Sequence, residues 1–144
     1  MEILILLFII VIGTSFLCSV LESVLLSTNA SYISVLEKNN PIVGKLLKKL
    51  KTDIDKSISS ILILNTIANT LGATAIGVQA QNVFGGNSTL VMVVSIILTF
   101  MILFFAEIIP KTIGAVYWKQ LAPHSPRIIN IFIFITYPII IITQ

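Results

Sequence analysis

Three groups of polar residues sit inside otherwise apolar runs. Ser15, Ser19, Ser23 and Ser27 recur at every fourth position, with Thr14 and Glu22 beside them. At 3.6 residues per turn such a row drifts slowly and stays roughly on one side of a helix. Asn65-Thr66-Ile67-Ala68-Asn69-Thr70 places two amides one turn apart. Phe104-Phe105-Ala106-Glu107-Ile108-Ile109-Pro110-Lys111 joins a carboxylate to a proline. Pro110 has no N–H, so in a helix the Ala106 carbonyl loses its partner. A carbonyl freed inside a membrane needs another donor or a cation. The set thus offers hydroxyls, amide oxygens, one carboxylate and a backbone oxygen. All-oxygen sites suit hard cations, and a partly hydrated Mg2+ needs only one or two carboxylates among neutral oxygens. Cys18 and His124 are the sole residues of their types, and neither belongs to the set.

Each group also has a plainer reading. Serine rows are common helix-packing surfaces, and a serine can bond its own i−4 carbonyl. Packing is the reading preferred for Ser15 and Ser19, whereas Glu22 draws Ser23 and Ser27 toward an ionic role. Asn65 and Asn69 serve equally as amide glue between helices or as paired neutral ligands. Lys111, one turn beyond Glu107, could form an ion pair with it.

The elements that must position these groups follow from composition. The chain has 144 residues, 56% of them hydrophobic and 10% charged, with a net charge of +3; its mean hydropathy is +1.05. That much apolar surface does not fit inside one soluble globule of this size. A free soluble enzyme, a disordered tail and a nucleic-acid module are excluded, and the basic balance points to the bilayer. No Lys or Arg occurs in residues 1–37 or 57–110. The expected class is an all-α integral membrane domain over 1–144. Three transmembrane helices are expected at about 3–28, 57–80 and 88–110, each long enough for a ~30 Å core. Loop 29–56 carries six Lys, while 81–87 carries no charge. Cationic loops stay cytoplasmic, so the N-terminus is expected outside and loop 29–56 inside a multi-pass cell-membrane protein. Met1-Glu2 lacks the basic start of a cleaved signal peptide. Leu46, Leu47 and Leu50 alternate with four Lys, predicting an interfacial helix over about 31–50, interrupted at Asn39-Asn40-Pro41. The last apolar run, 128–143, contains Pro138 and is short for a crossing; interfacial, re-entrant and spanning placements all fit its composition. Its apolar end at Gln144 leads to the expectation of an excised membrane domain.

Glu22-Ser23-Val24-Leu25-Leu26-Ser27, Asn65-Thr66-Ile67-Ala68-Asn69 and Ala106-Glu107-Ile108-Ile109-Pro110-Lys111, in this order, resemble the transmembrane domain of the CorC/cyclin M (CNNM) magnesium transporters. The Glu-Ile-x-Pro-Lys element is the most specific part. The resemblance implies three spans per subunit with juxtamembrane helices, a homodimer, and cytosolic CBS domains after the membrane part. It implies Mg2+ efflux, coupled to Na+ in at least some members, and a final apolar run that does not cross. Ser23, Asn69 and Glu107 match the family's ion-site positions, with Ser27 and Asn65 beside them in the same motifs. The residue before Glu107 is usually Gly; here it is Ala106, whose methyl group could narrow the cavity around its carbonyl ligand.

The resulting expectation is a Mg2+ transporter domain whose ion site is built by Ser23, Ser27, Asn65, Asn69, the Ala106 carbonyl and Glu107. The rival expectation is a membrane anchor and dimerisation module that senses Mg2+ or supports regulatory domains without transport. A third is a purely structural bundle. Covalent catalysis is not expected: no base accompanies the serine row, and the single His124 sits in the loop Pro123-His124-Ser125-Pro126.

Overall fold

A computed structural model describes residues 1–143. The chain forms α1 (Glu2–Ser27), α2 (Ala30–Asn39), α3 (Pro41–Thr52), α4 (Ile54–Val83), α5 (Ser88–Ile102), a π-helical turn (Leu103–Ile108), α6 (Ile109–Val116), α7 (Trp118–Leu121) and α8 (Ser125–Thr143). No strand occurs among the described residues. Four helical stretches are long and apolar enough to cross a bilayer: α1, α4, the continuous run Ser88–Val116, and α8. Three crossings with accompanying helices are compatible with this set, α8 being the additional element packed along α3 and α4.

Local chemistry explains the breaks. Asn29 caps α2 through the Tyr32 N–H at 2.8 Å. Asn40 ends α2 and caps α3 through the Val43 N–H at 3.5 Å, with Pro41 in the first turn, where no N–H is missed. The expected interfacial helix is therefore a helical hairpin. It closes tightly: a Cβ on Gly44 would collide with the Glu37 backbone. Asn87 caps α5 through the Leu90 N–H at 3.1 Å, after a turn in which Gly86 takes φ +88°.

Two apolar clusters hold the helices together. One joins Leu4 and Val11 of α1 to Ile76 and Ala80 of α4. The larger joins Cys18, Leu21, Val24 and Leu25 of α1 to the α2–α3 hairpin, Ile61 of α4 and Ile129 of α8. Gly72 lets α4 touch α1, since a Cβ there would run into the Val11 methyls. The hairpin is tied to the end of α1 by Lys51, whose Nζ donates to the Leu25 carbonyl at 2.7 Å and the Leu26 carbonyl at 3.4 Å. Those carbonyls lack helical partners, and a cation suits the negative end of the helix. Burial lowers the Lys51 pKa from its ordinary value. By contrast, α5 buries none of its residues within this chain.

Candidate functional site

The polar layer lies along α1 between the two apolar clusters, where α1 meets α4 and the π turn. Ser15 Oγ donates to Asn65 Oδ1 at 2.6 Å. Asn69 Nδ2 reaches both Asn65 Oδ1 and Glu107 Oε1, each at 3.4 Å. Both bonds are long for N–H···O, whose usual range ends near 3.2 Å. Asn69 Oδ1 is buried and has no hydrogen-bond partner among the described residues. A buried polar atom is normally satisfied, so this oxygen calls for an explanation. Asn69 also lines a cavity of about 260 Å3, together with Ala73, Thr99, Ile102, Leu103 and Glu107.

The π turn delivers Glu107 to this layer. Within it the Ile109 N–H bonds the Phe104 carbonyl five residues back. Such turns insert one residue beyond α spacing and are frequent at functional sites. The Ala106 carbonyl, which α spacing would have paired with residue 110, instead accepts the Ser19 hydroxyl at 2.8 Å. Both groups are fully buried.

One turn further along α1 the partners change. Ser23 Oγ donates to the Lys111 carbonyl at 2.6 Å. Lys111 Nζ lies 3.5 Å from Glu22 Oε2. The alternative pairing of Lys111 with Glu107 is not formed, and Glu107 has no ion-pair partner among the described residues. Gly114 allows this close approach: a Cβ would stand 2.7 Å from Ser23 Cβ and 2.8 Å from the Val20 carbonyl.

Of the residues singled out by sequence, Asn65, Asn69 and Glu107 are joined in one hydrogen-bonded chain, and Ala106 is adjacent to it. Ser23 lies at the Lys111 backbone. Ser27, at the end of α1, makes no side-chain hydrogen bond among the described residues and is about 12 Å along the helix from Ser19. Ser15 and Ser19, assigned by spacing to packing, are the α1 hydroxyls that touch the Asn65 amide and the Ala106 carbonyl. Their signal was their height on α1, visible once Val11 is set against Gly72 in an antiparallel pair. Thr99 was also missed, because its link to Glu107 is through the cavity wall.

Among the described residues no group of three or more His, Cys, Asp or Glu side chains gathers. The layer is one carboxylate with neutral oxygens, a donor set that suits a hard cation.

Comparison with known proteins agrees with this arrangement of motifs. The Cyclin M transmembrane N-terminal domain family (CNNM) matches residues 5–144. The UPF0053 protein sll1254 of Synechocystis sp. is 32% identical over 126 residues, 85% of this chain and 34% of its own length. The UPF0053 inner membrane protein YfjD of Escherichia coli is 30% identical over 101 residues, 70% of this chain and 23% of its own length. A UPF0053 protein of Haemophilus influenzae is 29% identical over 119 residues, 83% of this chain and 28% of its own length. The chain thus spans about a third or less of these relatives. With its apolar helices, its polar layer and a family match over nearly its whole length, the chain is a multi-pass membrane domain that belongs to the CorC/cyclin M (CNNM) family.

Proposed function

We propose that this domain transports Mg2+ out of the cytoplasm, with the ion as cargo in the layer formed by Asn65, Asn69 and Glu107. The observation that carries the reading is Asn69 Oδ1: a buried amide oxygen without a donor, on a residue that hydrogen-bonds a carboxylate without an ion-pair partner and lines a mostly apolar cavity with it. Leaving such groups unpaired in an apolar medium is costly. A divalent cation satisfies both at once. Mg2+ dehydrates reluctantly, so it enters with much of its water and meets Glu107 directly or through that water. Ser15 orients Asn65, and Ser19 holds the Ala106 carbonyl at the edge of the layer. One carboxylate among neutral oxygens binds loosely enough for release.

Charge balance falls to Glu107. Glu22 is already matched by Lys111, whereas Glu107 gains or loses a counter-charge with each ion. Na+ as the exchanged ion suits the same oxygens. The working molecule is a homodimer with the N-terminus outside, loop 29–56 cytoplasmic and cytosolic CBS domains in the same full-length protein.

The test is Mg2+ binding by calorimetry, followed by Mg2+ flux in sealed vesicles, for wild type and Glu107→Gln. Saturable binding and flux in wild type, both lost in a variant that still inserts, support the reading. Unchanged affinity in Glu107→Gln overturns the site. Binding without flux leaves the non-transporting sensor or anchor.

A further inference from the structure

Between the polar layer and the α4–α5 turn, cavities line up along α4 and α5; the two nearest Glu107 share a wall, and the one at the turn is separate. Resting on the transport reading above, we propose that these cavities form one groove, a water-filled route for a hydrated divalent cation, leading from Glu107 to the membrane face that carries residues 84–87.

Three cavities lie in series. The first, about 260 Å3, touches Asn69 and Glu107. The second, about 160 Å3, shares Ala73, Thr99 and Ile102 with it and adds Gly77 and Ser95. The third, about 220 Å3, is walled by Gln81, Asn87, Ser88 and Val91, one turn further on each helix. The smallest exceeds many times the ~15 Å3 that one water needs. Asn69 to Gln81 spans about 18 Å of helix.

The rows that face each other explain why the space stays open and wet. On α4 the wall is Asn69, Ala73, Gly77 and Gln81, every fourth residue, polar at the ends and small between. Gly77 leaves real space, since a Cβ there meets nothing within 4 Å. On α5 the wall is Val91, Ser95, Thr99 and Leu103, with Glu107 at its inner end. Ser95 Oγ donates to the Val91 carbonyl at 2.8 Å, and Thr99 Oγ1 donates to the Ser95 carbonyl at 2.9 Å. With their protons turned back into the helix, both hydroxyls present lone pairs. A hydrated cation turns its water hydrogens outward and needs acceptors of this kind. No wall residue beyond Glu107 is charged, so nothing on the way holds the ion strongly. Ile76, Leu98 and Ile102 make the middle of the wall largely apolar, so the Ser95 and Thr99 acceptors and the polar groups at both ends are what favour water over an acyl chain.

The test uses single cysteines in a Cys18→Ala background of the full-length protein in sealed vesicles. Gly77→Cys and Thr99→Cys are treated with a cationic, membrane-impermeant methanethiosulfonate, with Ile97→Cys on the opposite side of α5 as control. Only a thiol in water ionises readily, so the groove positions should label on the order of tenfold faster than Ile97→Cys. Labelling should also slow Mg2+ efflux while calorimetric Mg2+ binding persists. Equal rates at all three positions overturn the route in favour of lipid in the groove. Disulfide-linked dimers through Gly77→Cys overturn it in favour of a second copy seated there. Calorimetry judges the underlying reading independently: if wild type binds no Mg2+, the transport reading fails whatever the labelling; if it binds and the groove does not label, only the route fails.

Discussion

Ser19 occupies the place of the N–H that Pro110 does not have. Its hydroxyl is the donor to a carbonyl that would otherwise stand bare in an apolar interior. Ser19→Ala should cost about 1 kcal/mol of stability, since interhelical hydrogen bonds in membranes are individually modest. Unfolding midpoints in detergent measure this, and an unchanged midpoint would mean that the carbonyl finds another donor. Ser15→Ala should instead loosen Asn65 and weaken Mg2+ binding more than it lowers stability. The residue types of the layer were legible in the sequence because acids and amides are rare in apolar runs. Which serines reach them was not. A four-residue row offers the same hydroxyl at each turn, and only contacts distant in sequence, Val11 on Gly72 and Ser23 on Gly114, choose the height.

At the scale of elements, glycines set the separations on which the layer depends. Gly114→Leu should push α6 off α1, breaking the Ser23 and Glu22 contacts with Lys111 and destabilising by roughly 1–3 kcal/mol, as overpacking does. Gly72→Leu should do the same between α4 and α1. Gly77→Ala is the control and should not lower the unfolding midpoint: its Cβ meets nothing, and the better helix propensity of Ala should raise stability by up to about 1 kcal/mol. A Gly114→Leu protein as stable as wild type would show that α6 is free to move away from α1. The helices themselves followed closely from hydropathy and charge gaps: apolar runs at 3–28, 57–80 and 88–110 fall within or against α1, α4 and the Ser88–Val116 stretch. The π turn did not. A missing N–H at Pro110 foretells a kink, but whether the helix bends or takes in an extra residue depends on what can receive the freed carbonyl, and that donor comes from α1.

For the whole molecule, the arrangement of charge makes orientation testable. Five Lys between α1 and α4 and Lys56 in the first turn of α4, against an uncharged α4–α5 turn, favour the hairpin side as cytoplasmic. In intact cells, and with Cys18 replaced by Ala, Asn87→Cys should react with an impermeant thiol reagent added outside. Ser34→Cys should react only after permeabilisation. The reverse pattern would invert the direction assigned to every step above. The π turn carries a last consequence, for the lengths that this chain can have. It works like a dislocation in a crystal, an extra unit whose presence fixes the phase of everything beyond it. Deleting one residue of 103–108 would let this stretch return to ordinary spacing with the rest of the helix roughly in phase, whereas a deletion elsewhere in the arm would turn everything beyond it by about 100°. Either Glu107 or Gly114 would then face away from its partner. Single-residue insertions and deletions in functional variants of this arm should therefore be confined to the turn at 103–108 and to the connections at 84–87 and 117–124.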